Sequence, residues 1–135
     1  MNISAIVRNG PMRHEAVVRT DARMQAVAIA PKVEGKGSAV NGGELLMLAL
    51  ATCYCNDLYR EAERRTIQLE SVEVEASARF PGVGLAATDI RYRASVRSSA
   101  PPSAIEELLC ATDVVSEVHN TIRAGARVIL ETDPA

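Results

Sequence analysis

Three cysteines and two histidines carry most of the nucleophilic and metal-binding capacity of this sequence. Cys53 and Cys55 lie in GELLMLALATCYCNDLYREAER, the stretch from Gly43 to Arg64. On a helix, two residues correspond to about 200° of rotation, so the two thiols point to opposite faces and cannot bridge each other. They do not form a CxxC redox pair. Cys110 follows Glu106 and Glu107, whose carboxylates would keep a nearby thiol protonated and sluggish. A buried cysteine is most often a small hydrophobe, and it turns nucleophilic when its thiolate is stabilised. His14 and His119 are too few and too far apart for a zinc site, so no metal and no cofactor is expected. His119 lies one helical turn after Ser116, and one arrangement open to it is that of a base to Cys53. Gly35-Lys36-Gly37-Ser38 is not a phosphate-binding loop, because that motif needs a glycine at position 30, which is Ala30.

These residues must be positioned by the elements around them. From Glu44 to Cys55 nearly every residue is apolar or small, and Leu, Met and Ala favour a helix. A helix of this length spans roughly 33 Å. The apolar run of about a dozen residues ends at Asn56 and Asp57, too short to cross a membrane. It is expected to be buried on all sides, in a core or a subunit interface. Its second half is expected to show a solvated face of Asp57, Arg60, Glu61, Glu63 and Arg64.

Ahead of this helix, Asn2–Arg8, Met12–Arg19 and Arg23–Ala30 are expected as strands. They are separated by turns at Asn9-Gly10-Pro11 and Thr20-Asp21-Ala22, and a glycine-rich loop runs from Pro31 to Gly43. After it, Ser71–Phe80 alternates apolar and polar residues. PGVGLA (Pro81–Ala86) turns the chain into a returning strand with Ile90, Tyr92, Ala94 and Val96 on one face. Acidic residues on one strand and Arg91, Arg93 and Arg97 on its neighbour suit cross-strand pairing on the wet face. Pro101-Pro102-Ser103 opens a helix, with Ser103 and Glu106 spaced as a capping box. A short helix is expected over about Asp113–Asn120, and a last strand over Ile122–Glu131. Strands joined by tight turns are antiparallel, so the fold class is α+β, a curved antiparallel sheet wrapped around a long central helix.

The 135 residues suit one domain, 1–135. A net charge of -2 gives no electrostatic basis for binding nucleic acid, and four aromatic residues are too few for a base-stacking platform. The opening MNISAIVRNG lacks a basic segment followed by an apolar one, so no signal peptide is expected. With no export signal, the cysteines are expected as free thiols in the cytoplasm.

ELLMLALATC (Glu44–Cys53) closely resembles the helix that carries the reactive cysteine in the OsmC/Ohr family, the osmotically inducible and organic hydroperoxide resistance proteins. The resemblance continues through LESVEVEASARF, more weakly through SEVHNTI, and in the order of elements. It implies an OsmC-like fold, an intertwined homodimer with active sites at the interface, and thiol-dependent reduction of organic hydroperoxides. Cys53 matches the peroxide-attacking cysteine, and Arg13 falls where the family keeps the arginine that holds the thiolate. The family's acidic partner falls at Gly43, with Glu44 one place off. The family's resolving cysteine falls at Ser116, and a serine cannot form a disulfide.

The expected function is therefore reduction of a small organic hydroperoxide by Cys53 alone. Its sulfenic acid would be recycled by an external thiol, with Cys110 a conceivable substitute inside the chain. The alternative is a non-catalytic relative that binds a small apolar molecule in the interface pocket, with Cys53 a core thiol.

Overall fold

The computed structural model describes residues 1–132, and the chain divides into two compact units, Met1–Leu45 and the chain from Leu46 onward. In the first unit, β1 (Ile3–Gly10), β2 (Arg13–Thr20) and β3 (Arg23–Val27) form an antiparallel meander in the order β1-β2-β3. Pro11 and Met12 link Gly10 to Arg13, and Asp21 and Ala22 link Thr20 to Arg23. Asp21 turns at φ 49°, a left-handed conformation that aspartate tolerates, and its carboxylate accepts from the Asn2 N–H at 2.8 Å. The loop that follows is pinned by a bridge between Pro31 and Ser38, and Ser38 Oγ also meets His14 Nε2 at 3.0 Å.

Helix α1 (Gly42–Arg64) starts on a reciprocal cap. The Asn41 side chain accepts from the Glu44 N–H at 2.9 Å, and the Glu44 carboxylate accepts from the Asn41 N–H at 2.8 Å. The expected start at Gly43 was thus within one residue, and the signal that sets it is Asn41 with Glu44.

In the second unit, β4 (Ser71–Arg79) pairs antiparallel with β5 (Thr88–Arg97). The alternation along Ser71–Arg79 is borne out, with every second residue turned inward. On the outer face Glu75 stands opposite Arg93, and the two form an ion pair at 2.6 Å. The core is built on α1: Tyr54, Leu58 and Ala62 recur at helical spacing and meet Leu108 of α2 (Pro102–Val115). Val72, Val74, Tyr92, Ala94 and Val96 cover it from the sheet.

Several expectations need correction. The strands form two antiparallel sheets, one of three strands and one of two, instead of a single curved sheet. Helix α2 begins at Pro102 with Pro101 as its N-cap, so Ser103 lies inside the first turn and makes no capping box. The next helix, α3, spans Glu117–Arg123 instead of Asp113–Asn120, because α2 persists to Val115 and the chain breaks helical geometry at Ser116, with ψ 104°.

The expected last strand, Ile122–Glu131, is absent. Its first two residues end α3, and Gly125 at φ 62° closes that helix. The Gly125 N–H bonds the Ile122 carbonyl at 3.0 Å and the Ala126 N–H bonds that of Thr121 at 3.3 Å, a Schellman motif that stops the helix. A strand also needs a neighbour's backbone, and β4 and β5 pair only with each other among the described residues.

The burial of α1 differs from the expectation at Asp57 and Glu61, which are buried, whereas Glu63 and Arg64 are exposed as expected. Its buried residues are Leu50, Tyr54, Asp57, Leu58, Glu61 and Ala62, while Leu48 in the apolar half is 59% exposed. Asp57 and Glu61 belong to the inward stripe because Arg60 pairs with both, at 2.8 and 3.2 Å.

Candidate active site

Three side chains of α1 fall on one flank by their spacing: Cys53, Asp57 four residues on, and Arg60 three further. The Cys53 thiol donates to Asp57 Oδ2 at 3.4 Å, and Asp57 Oδ1 receives the Arg60 guanidinium at 2.8 Å. Asp57 is only 4% exposed, so that guanidinium is its principal compensation for lost hydration. From α3, Glu117 Oε2 approaches Cys53 Sγ to 4.0 Å and its Oε1 stands 4.0 Å from Arg60. Cys53, Asp57 and Glu117 each bring a ligand atom within 4.8 Å of the others, the spread of a cation site. The cation already paired with both carboxylates is Arg60.

The electrostatics of this corner work against a free thiolate. Burial pushes the Cys53 thiol up, and the carboxylates of Asp57 and Glu117 add to the rise; only the Val118 N–H opposes it. Cys53 is nevertheless half-exposed, and so is Cys55, while Cys110 is exposed; all three are free thiols.

Ser116 sits between α2 and α3 and is fully buried. Its hydroxyl donates to the Thr112 carbonyl at 2.9 Å, and Thr112 repeats the pattern onto Leu108 at 2.7 Å. The hydroxyl is therefore committed to backbone and caps nothing.

Beside the core lies a polar network that sequence reasoning missed. Tyr92 donates to Asp113, and Arg123 pairs with the same carboxylate at 2.6 Å, holding that carboxyl below its usual range. Burial first, then the bond to Asp113, pushes Tyr92 up to about 12. His119 packs against Tyr92 and Tyr54, with ring centroids 4.4 and 5.7 Å away. It is 3% exposed, and neither ring nitrogen has a partner among the described residues. Burial and the Arg123 charge lower its pKa, so it is held neutral, and it makes no hydrogen bond to Cys53.

The remaining predicted site residues lie in the first unit. Arg13 is on β2 and largely exposed, paired with Glu15 at 2.6 Å; Arg8 holds the same carboxylate at 2.9 Å. It lines a cleft of about 750 Å³ together with His14, Lys32 and Lys36. Glu44, one place from the expected acid, is spent on the α1 cap. Thus Cys53 and Ser116 share the second unit, and Arg13 stands in the first. Asp57 and Arg60 were readable as part of a charged flank but not as neighbours of the thiol, and Glu117 was not singled out. The only sequence signal for Asp57 was its i+4 spacing from Cys53.

The model of the OsmC-like protein family matches residues 35–131, more than two thirds of the chain. The chain belongs to the OsmC family. An OsmC-like protein from Mycoplasma pneumoniae superposes with a TM-score of 0.64 at 17% identity, over 90% of this chain and 86% of that one. An organic hydroperoxide resistance protein from Elizabethkingia anophelis gives 0.61 at 16% identity, over 91% and 89%. One from Legionella pneumophila, also described as a predicted redox protein, gives 0.58 at 18% identity, over 89% of each chain. No curated protein matches this OsmC-like chain in sequence. Among its described residues no helix is long and apolar enough to cross a membrane.

Proposed function

We propose that this OsmC-like protein is a cytoplasmic, homodimeric, thiol-dependent reductase of organic hydroperoxides that works with one cysteine. Family membership supports the reaction class, and two relatives of the same fold are described as organic hydroperoxide resistance proteins. The observation that carries the reading is Cys53 itself. It is half-buried on the family's cysteine helix, with its thiol hydrogen-bonded to Asp57 at 3.4 Å.

The reaction consists of attack by Cys53 sulfur on the outer peroxide oxygen. The S–O bond forms as the O–O bond breaks, the alkoxide leaves as alcohol after protonation, and Cys53 becomes a sulfenic acid. Ser116 has no sulfur to condense with it. An external thiol takes that role, releasing water and leaving a mixed disulfide, and a second external thiol restores Cys53. The positive charge that thiolate chemistry needs is proposed to come from Arg13 in the assembled dimer, since the nearby charges of the second unit oppose ionisation.

A pulse of an organic hydroperoxide followed by a sulfenic-acid probe tests this. Labelling of the Cys53 peptide is expected, and a peptide that stays unlabelled while peroxide persists would sink the proposal. One observation favours a second reading, a non-catalytic protein binding a small apolar ligand: the two carboxylates beside the sulfur keep it a thiol. That reading expects no sulfenic acid at any dose that leaves the fold intact.

A further inference from the structure

The geometry points to Asp57 as the acceptor of the Cys53 proton during attack on the peroxide, with Arg60 as the residue that positions it; this rests on the peroxidase reading above. Among the described residues Asp57 is the side chain that accepts from the sulfur at the shortest distance, 3.4 Å, and one of its oxygens faces the thiol while the other faces Arg60. The carboxylate is thus divided between a proton donor and a fixed cation. Burial limits its freedom to turn away. Glu117 is a poorer acceptor, because it stands 4.0 Å off and its side chain is 72% exposed. The charged groups facing the sulfur are Asp57 on its own helix and Glu117 of α3, and Arg60 pairs with both carboxylates.

The step balances as follows. The thiol proton passes to Asp57 as sulfur attacks the outer oxygen of ROOH. The O–O bond breaks, and the leaving RO⁻ takes the proton from Asp57 as ROH. Cys53 ends as Cys–SOH, and Asp57 returns to its carboxylate. General base assistance of this kind is worth about 10² to 10⁴ in rate.

An electrostatic brake and a proton acceptor predict opposite signs for Asp57→Asn. Removing the carboxylate removes a like charge beside the sulfur, so the thiol ionises more readily in either case. If Asp57 were only a brake, the variant would attack peroxide faster at mildly acidic pH. If it accepts the proton, the variant slows there by about 100-fold even as its thiolate absorbance appears at lower pH.

The experiment follows sulfenic acid on the Cys53 peptide against pH, alongside ultraviolet thiolate absorbance, in full-length wild type, Asp57→Asn, Asp57→Glu and Glu117→Gln. The wild-type rate is expected to persist below the pH range where thiolate appears. Asp57→Asn should lose that persistence, Asp57→Glu should recover part of it, and Glu117→Gln should show thiolate absorbance at lower pH without the loss of rate seen in Asp57→Asn. A wild-type rate that merely tracks thiolate absorbance overturns the inference, and that measurement requires no variant to fold. A faster Asp57→Asn enzyme overturns it as well. If wild type gives no sulfenic acid at any pH, the peroxidase reading fails by itself. Alkylation of the same peptide by iodoacetamide then reads the acceptor: slower in Asp57→Asn upholds it, faster rejects it.

Discussion

Two antiparallel ribbons in this chain meet very different fates. The β4–β5 hairpin lays Val72, Val74, Tyr92, Ala94 and Val96 over Tyr54, Leu58 and Leu108, and that is where the core lies. The β1–β3 meander is longer and equally regular, yet Ala16 is its one buried residue among those described. Ile3, Val7 and Met24 stand open to solvent. The difference is a helix stripe. A sheet becomes independently stable when one apolar face has cover, and hydrogen bonds within a meander do not supply it. On α1, Leu48 shares the condition of the meander, although Leu50 and Tyr54 of the same apolar run are buried. Cover from a second copy is the proposed remedy, and the resemblance to OsmC-like proteins expects the same.

The largest effect should come from spoiling that cover. Val7 stands opposite Ala16 in the β1–β2 register and is 59% exposed in the single chain. Val7→Asp would place a charge in the proposed interface at a cost of several kcal/mol, and sedimentation should show loss of the dimer with loss of cooperative melting. A wild-type protein that remains a folded monomer at micromolar concentration, with a melting temperature independent of concentration, breaks the comparison outright.

Next in size is the core of the second unit. Leu58 and Leu108 are fully buried and face each other in one cluster. Leu58→Ala should cost about 2–5 kcal/mol in chemical denaturation, the usual range for emptying such a site. It should leave the dimer intact at concentrations where the protein is folded. An equal cost for Val7→Ala in dilute protein would mean that the two sheets are not as different as their burial says.

What the sequence made legible follows the same division. The alternation of β4 and the turns of β1–β3 were readable because they are local: side-chain period 2, and Pro or Asp where the chain reverses. The α+β class and α1 within one residue followed from the same signals. Asp57 and Glu61 of α1 were misplaced because composition reports how apolar a segment is and not what lies against it. Asp57 and Glu61 looked like solvent residues until Arg60, on the same helix, was seen paired to both. The last strand was read from alternating apolar residues in Ile122–Leu130, while Gly125, the stop signal of α3, passed unnoticed. Of the site, Cys53 was legible through resemblance, but its neighbours Glu117 and Val118 come from a helix more than sixty residues away.

A smaller effect separates the two roles open to Ser116. Its buried hydroxyl bond to Thr112 contributes roughly 1 kcal/mol, so Ser116→Ala should lower stability by that amount and leave peroxide reactivity of Cys53 unchanged. Ser116→Cys restores a thiol at the position where the resemblance expects the resolving one. Peroxide should then give a disulfide between Cys53 and the introduced thiol on non-reducing mass mapping, provided the two Cα atoms lie within about 7 Å. In the wild type no intrachain disulfide is expected, and Cys53 should pass to sulfinic acid with excess peroxide. A dominant Cys53–Cys110 peptide would refute the one-cysteine reading.

The smallest effect tests Glu44, where stability and chemistry can be told apart. Its carboxylate closes the cap of α1 on the Asn41 N–H at 2.8 Å, one residue from the position of the family's acidic partner. As a cap residue it stabilises the first turn of a helix whose first half has little cover, and it interacts with the helix dipole only at that end. Glu44→Gln keeps the reach and an acceptor oxygen but loses the charge, so the expected cost is about 0.5 kcal/mol. Asn41→Ala removes the reciprocal half and should cost about 1 kcal/mol. Neither should change the rate at which Cys53 forms sulfenic acid, because the charge that governs that thiol in its own unit is Asp57. A tenfold fall in that rate for Glu44→Gln, with stability unchanged, would move Glu44 from the helix cap to the reaction.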